Sequence, residues 1–257
     1  MMLPSGIFVQ GQGPPLGIAH AYGNRRDLLN AALQAGVDMV ECDVWFQGGR
    51  FWARHERRLG FLPLLVDWRR HACHGMGGLS LPLGPFYIRW DISPLPLDEV
   101  IFALSGRALL LWDAKGEYSP SEAKDYVRSL RLLLSRLHAE ERVVVCGQNW
   151  DLLWAIRDES PSPLVFLTVH TLKDWERLVA LPSPPAGVCL HRSLTGDAQV
   201  AYLRQENVPF LCWTVDEEDE ALRLVSLGAK GIISNRLDLL LGLRQANAGE
   251  GSDVGLG

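Results

Sequence analysis

The sequence predicts an α/β fold of the TIM type, a (β/α)8 barrel, on three observations. Short apolar runs alternate with longer stretches of helical periodicity, the mark of parallel βα units. Eight such runs can be counted along the chain. At 257 residues and 47% apolar, the chain has the length and core-forming capacity of one barrel domain.

The runs are Gly17 to His20, Asp38 to Val44, Ala108 to Trp112, Arg142 to Gly147, Leu164 to Val169, Gly187 to Leu190, Phe210 to Val215 and Gly231 to Ser234. They are rich in Val, Ile and Leu, as strands buried on both faces are. Between them, helices are expected over Arg26 to Ala35, Leu97 to Leu104, Pro120 to His138, Trp150 to Asp158, Leu172 to Leu181, Gly196 to Glu206 and Glu217 to Leu227. Ser119 before Pro120, with Glu122 three residues on, is a capped helix start. Gly36 and Gly228 stand where helices should stop.

Two places break the rhythm. Arg50 to His55 has the look of an extra strand, hairpinned onto the second run through Gly48-Gly49. An insertion after that strand, about 56–96, is rich in Gly, Pro and Arg, which suits a lid, a small subdomain or a binding element. One domain over 1–245 and a disordered tail over 246–257 are expected.

Composition narrows the partners. A net charge of -5 gives no electrostatic reason to expect nucleic acid. Five cysteines, scattered singly and mostly within apolar runs, fit buried free thiols in a reducing compartment. No apolar stretch is long enough for a transmembrane segment, so the expected location is cytoplasmic.

In a parallel barrel the working residues stand at the C-terminal ends of strands. His20 ends the first run, Glu41 and Asp43 lie late in the second, Asp113 and Lys115 end the third, and His170 and His191 follow the fifth and sixth. Glu41 and Asp43 are two residues apart on a strand, so both carboxylates point the same way. Facing inward they would repel unless a cation lay between them, and oxygen ligands suit Mg²⁺ or Ca²⁺; pairing with arginines is the alternative. Asp113 and Lys115 repeat the spacing, and can supply a third oxygen ligand and a cation for a phosphate oxygen, or simply pair with each other. His20 and His55 are the candidates for proton transfer, because imidazole titrates near neutrality. His170 and His191, at strand ends, are candidates for substrate contact. Within the insertion, His71, Cys73 and His74 are better explained as loop residues than as a zinc cluster, for want of a fourth ligand.

These residues fall in a familiar order. The stretch GIAHAYG...LLNAALQAGVDMVECDVWFQGGRFWARHE, then LPLDEVIFAL, LLLWDAK and FLCWTVDEEDEALRLVSLGAKGIISNRLDLL, resembles glycerophosphodiester phosphodiesterases over about residues 16 to 242. The resemblance implies a TIM barrel, a divalent cation (Mg²⁺ or Ca²⁺) held by Glu41, Asp43 and Asp113, and acid/base roles for His20 and His55. It implies that Lys115 contacts the phosphate or orders the metal site and that Trp213 lines the pocket. The expected reaction is metal-dependent hydrolysis of a small-molecule glycerophosphodiester to an alcohol and a phosphomonoester of the sn-glycerol 3-phosphate type.

The chain also departs from the family pattern. His-Arg-Gly is replaced by His20-Ala21-Tyr22, which removes a phosphate-binding arginine unless Arg25, Arg26, Arg57 or Arg58 substitutes for it. The P-E-N-T segment is absent, with Gly23-Asn24-Arg25-Arg26 in its neighbourhood. The third acid is Asp113 rather than Glu. FLCWTVDEEDE resembles the family's W-T-V-N ending, and the terminal T-D pair reads Ser234-Asn235. Two of these changes are similar to the sphingomyelinase D branch, whose members form a cyclic phosphate, and that lyase chemistry is one alternative. A catalytically inactive barrel used as a binding module is the other. The apolar and basic insertion, with Trp68, Trp90, Arg57 and Arg58, would suit a lysophospholipid and a place in lipid metabolism.

Overall fold

The computed structural model describes residues 14–59, 62, 64–68, 80–90, 94–159 and 163–250. His71, Cys73 and His74 lie outside the described residues.

The chain begins with β1 (Leu16–Ala19) and runs through α1 (Arg26–Ala35) into β2 (Met39–Gln47) and β3 (Arg50–Ala53). The insertion contributes β4 (Arg57–Arg58), β5 (Leu65–Trp68), β6 (Ser80–Leu83), β7 (Phe86–Arg89) and β8 (Leu95–Pro96). Regular βα alternation then resumes with α2 (Leu97–Leu104), β9 (Leu109–Lys115), α3 (Pro120–Leu137), β10 (Val143–Gly147) and α4 (Trp150–Arg157). It continues through β11 (Leu164–Val165), β12 (Leu167–Val169), α5 (Leu172–Val179), β13 (Val188–His191) and α6 (Asp197–Gln205). The last elements are β14 (Phe210–Trp213), α7 (Glu218–Ser226), β15 (Gly231–Ser234) and α8 (Leu237–Glu250).

The parallel strands lie in the order β11-β10-β9-β2-β1-β15-β14-β13-β12. β11 and β12 are two halves of one run. At the break between them, Phe166 N–H donates to Val145 O at 2.8 Å and Leu167 N–H to Gly187 O at 3.0 Å, so the run joins β10 to β13. All eight expected strands are present, and the fold is a TIM-type barrel.

The strand period of two sorts residues between two cores. Ile18, Met39, Leu109, Leu111, Val144, Phe166, Leu211 and Ile233 fill the barrel interior. Val40, Cys42, Val44, Leu110, Trp112 and Ala114 face the helices. Interior size is matched pair by pair: a Cβ at Gly187 would lie 2.4 Å from the Phe166 ring.

Gly48 (φ 61°) and Gly49 (φ 73°) both take positive φ at the tip of the β2–β3 hairpin, the backbone a two-residue turn needs. The insertion, which the sequence left open between lid and subdomain, is a four-stranded antiparallel sheet ordered β4-β5-β7-β6, and β8 pairs back onto β3. Buried Arg89 is ion-paired with buried Glu56 at 2.9 Å, which pins this sheet where the chain leaves the barrel. α8 runs to Glu250, so residues 246–250, expected as tail, are helical. Ala246 and Ala248 are strong helix formers. Residues 251–257 lie outside the described residues. Cys42, Cys146, Cys189 and Cys212 are buried free thiols.

Candidate active site

On β2, Met39, Glu41 and Asp43 share the inward face, and on β9 Leu109, Leu111, Asp113 and Lys115 do. The two strands pair in register, Asp43 beside Asp113. The first residues of each face complete the apolar interior, and the last stand at the mouth as acids and a lysine. Period two on two adjacent strands thus builds an acidic cluster from local sequence alone.

Glu41, Asp43 and Asp113 each offer a carboxylate oxygen within 4.8 Å of the others. Glu41 and Asp43 are buried. Lys115 Nζ lies 2.7 Å from Asp43 Oδ1 and also pairs with Asp113. Burial and the neighbouring Asp43 and Asp113 push Glu41 well above the usual carboxylate range. Burial and Asp43 likewise push Asp113 up, against the pull of Lys115. For Asp43, Lys115, His55 and a hydrogen bond from Asn24 outweigh burial and hold it well below that range. Three carboxylates against one ammonium leave two negative charges on an oxygen-only cluster. That donor set fits one hard divalent cation, and the cation paired with Asp43 and Asp113 here is Lys115 rather than an arginine.

The turn after β1 supports this cluster. Ala21 N–H donates to Glu41 Oε2, and Asn24 both donates to Asp43 Oδ2 at 2.6 Å and accepts from Asp43 N–H at 2.9 Å. A Cβ at Gly23 would lie 2.6 Å from Cys42 Cβ, so only glycine lets the turn approach β2 this closely.

His20 and His55 have contrasting partners. His20 Nδ1 meets Asn235 Oδ1 at 2.9 Å. Asn235 Nδ2 donates to Asp216 Oδ2 at 2.7 Å, which fixes the amide orientation. His20 Nδ1 must then be the donor, leaving Nε2 with a lone pair. Desolvation outweighs Asp43 and lowers His20 below the ordinary histidine value. His55 Nδ1 instead pairs with the Asp67 carboxylate on β5. Desolvation opposes, but Asp67 and Asp43 together raise His55 above that value.

His191 and Trp213 are register partners at the ends of β13 and β14. With His170 they form a ring cluster, the centroids 4.9 to 5.0 Å apart, and Trp213 packs on the barrel interior. His191 Nδ1 accepts from Ser193 N–H at 3.3 Å, and desolvation and His170 lower its pKa. Of the arginines considered as replacements for the phosphate contact, Arg25 is paired with Asp27 and Arg26 with Glu99.

Asn24, Asp67, Asp216 and Asn235 were not singled out as site residues from sequence. Asn24 and Asn235 sit where the chain departs from the family motifs, and that was a usable signal. Asp67 carries none, because its role depends on how the insertion folds.

Among solved structures, a candidate glycerophosphoryl diester phosphodiesterase from Silicibacter pomeroyi DSS-3 is 16% identical, with 96% of this chain and 99% of that chain covered and a TM-score of 0.73. A glycerophosphodiester phosphodiesterase from Parabacteroides distasonis ATCC 8503 is 14% identical, covering 93% and 100%, with a TM-score of 0.66. An Oleispira antarctica phosphodiesterase, solved with the product sn-glycerol-3-phosphate, is 19% identical, covering 91% and 97%, with a TM-score of 0.64. At these identities the likeness establishes the fold. No curated protein matches the chain significantly. The model of the "Glycerophosphoryl diester phosphodiesterase family" matches residues 97–239, more than half of the chain and the part that carries Asp113, Lys115, His191 and Trp213. The chain belongs to the glycerophosphoryl diester phosphodiesterase family and is a phosphodiesterase.

Proposed function

We propose that the protein hydrolyses a glycerophosphodiester to an alcohol and a phosphomonoester, with Glu41, Asp43 and Asp113 holding Mg²⁺ or Ca²⁺, His20 acting as general base and His55 as general acid. The observation that carries the assignment is the unequal pairing of the two histidines. His20 rests on a neutral amide and is lowered, so near neutrality it offers Nε2 as a proton acceptor. His55 rests on a carboxylate and is raised, so it keeps a proton to give to the leaving alkoxide. A cation in the acidic cluster would supply charge stabilisation to a phosphoryl oxygen. Lys115 pairs with Asp43 and Asp113 and presents an ammonium at the cluster. His191 and Trp213 wall the far side of the mouth and would contact the organic part of the substrate.

The product found with the Oleispira antarctica relative supports a glycerol 3-phosphate product. The test is phosphorus NMR of the purified protein with glycerophosphocholine and Mg²⁺ or Ca²⁺, beside EDTA and a His20→Ala control. A metal-dependent phosphomonoester signal lost in the control is expected. A cyclic phosphate would instead select the sphingomyelinase D type of ring closure, and no turnover of any diester would favour a binding module.

One observation favours a lipid-like substrate as a second reading. Trp68, Leu81, Leu83 and Trp90 are exposed on or beside the insertion sheet. Preference for lysophosphatidylcholine over glycerophosphocholine, lost when Trp68 and Trp90 become alanine, would establish it. Among the described residues no helix is long and apolar enough to cross a membrane. A cytoplasmic location remains part of the proposal, supported by the buried free thiols.

A further inference from the structure

The mouth continues sideways into a cavity of about 700 Å³ between the β2–β3 hairpin, the loop after β9 and the starts of α3 and α4. Asp113 and Lys115 line it and connect it to the acidic cluster. Arg54 also lines it and is only 5% exposed. The other strongly buried cation among the described residues, Arg89, has a carboxylate partner. Arg54 makes no ion pair among the described residues: its one side-chain hydrogen bond there runs from Nη2 to the neutral amide oxygen of Gln47 at 3.1 Å. Its Nε–H has no acceptor among them. The guanidinium carbon stands 5.9 Å from the ring centroid of Trp45, a second cavity residue, whose Nε1–H also has no acceptor among them. A desolvated guanidinium without a counter-ion is costly, and unanswered donors on two adjacent lining residues call for a ligand rich in acceptors.

The rest of the charged lining carries both signs: Arg57 and Arg58 join Arg54 and Lys115, and the exposed acids Glu117, Glu122 and Asp125 balance them. Glu122 is committed to the Ser119 cap, and Glu117 accepts from Asn149 at 3.2 Å. With cations and acids balanced around the cavity, a ligand bearing an anion at Arg54 and a cation near Glu117 and Asp125 matches both signs.

We infer that this cavity is a subsite for a zwitterionic alcohol moiety of the diester, its carboxylate held by Arg54 and its ammonium facing Glu117 and Asp125. The planar guanidinium can hold a carboxylate through two parallel hydrogen bonds. The inference rests on the phosphodiesterase reading above and narrows its substrate class.

The experiment compares glycerophosphoserine with glycerophosphoethanolamine, which differ by one carboxylate, using the full chain with saturating Mg²⁺. The expected kcat/KM ratio favours the serine diester by about tenfold or more, carried by KM, and falls to near one in Arg54→Gln. Arg54→Lys keeps the charge without the planar fork and should retain part of the preference, so a misfolded glutamine variant does not decide the matter. Equal kcat/KM for the two diesters, or a ratio that neither variant moves, overturns the inference. If neither diester is turned over, the activity reading fails while the subsite is still decided by calorimetry with O-phosphoserine and O-phosphoethanolamine. Affinity for O-phosphoserine alone falling about tenfold in Arg54→Gln sustains the subsite, and equal affinities overturn it.

Discussion

His20 Nδ1 donates to Asn235 Oδ1 at 2.9 Å across 215 residues of sequence, and Asn235 passes the contact on to Asp216 at 2.7 Å. Relative to the W-T-V-N and T-D motifs of the family, the amide and the carboxylate have changed places. The charge sits one hydrogen bond away from the imidazole, and a neutral group touches it.

This arrangement should set the acidic limb of the pH profile. In Asn235→Asp a carboxylate would touch His20 and raise its pKa, moving the acidic limb of kcat/KM to higher pH. The introduced carboxylate would also repel Asp216, lowering stability. The exchange Asp216→Asn with Asn235→Asp should recover stability yet keep the shifted limb. A limb unmoved in both variants would show that Asn235 does not set the proton affinity of His20.

The basic limb should report His55. Its folded pKa is raised, so it stays protonated below that pKa and loses its proton as pH rises through it. Activity should therefore be bell-shaped around neutrality, with His20 setting the lower side. Asp67→Asn removes the carboxylate and should move the basic limb to lower pH. By the same linkage the His55–Asp67 contact stabilises the insertion fully below the ordinary histidine value and loses that contribution as pH rises through the raised folded pKa, readable as faster hydrogen exchange of β5 at high pH.

Glu41→Gln leaves the shape of the acidic cluster but removes one of its charges. Mg²⁺ affinity by calorimetry should fall by about tenfold to a hundredfold, and kcat with it at subsaturating metal. Unchanged metal binding would place the cation elsewhere.

Gly23→Ala should cost about 1–3 kcal/mol in urea denaturation, because its Cβ would meet Cys42 Cβ at 2.6 Å inside packed structure. The turn would have to withdraw, taking Asn24 from Asp43 and Ala21 N–H from Glu41. Lower metal affinity should accompany the lost stability. Cys42→Ala in the same background should recover part of both, since it removes the nearby sulfur at 3.0 Å.

The eight barrel strands, seven of the eight α-helices among the described residues and the acidic cluster were legible in the chain itself. The strand period is local: side chains two apart share a face, so the sequence alone pairs Glu41 with Asp43 and Asp113 with Lys115. The Ser119–Glu122 cap was equally local. Only α8 escaped, since its mixed Leu, Gly and Ala sequence shows little amphipathic pattern.

What the tertiary structure decided depends on meetings between distant segments. Barrel closure brings β15 beside β1 and so sets Asn235 against His20. Folding of the insertion into its own sheet sets Asp67 against His55. Burial of Arg54 with no ion-pair partner among the described residues follows from the way the β2–β3 hairpin packs at the mouth. The sequence by itself determined which groups face the chemistry, because that follows from a repeat of two residues. Which partner each group meets, and hence its proton affinity, was decided by long-range closure, because desolvation and neighbouring charge are properties of the packed site.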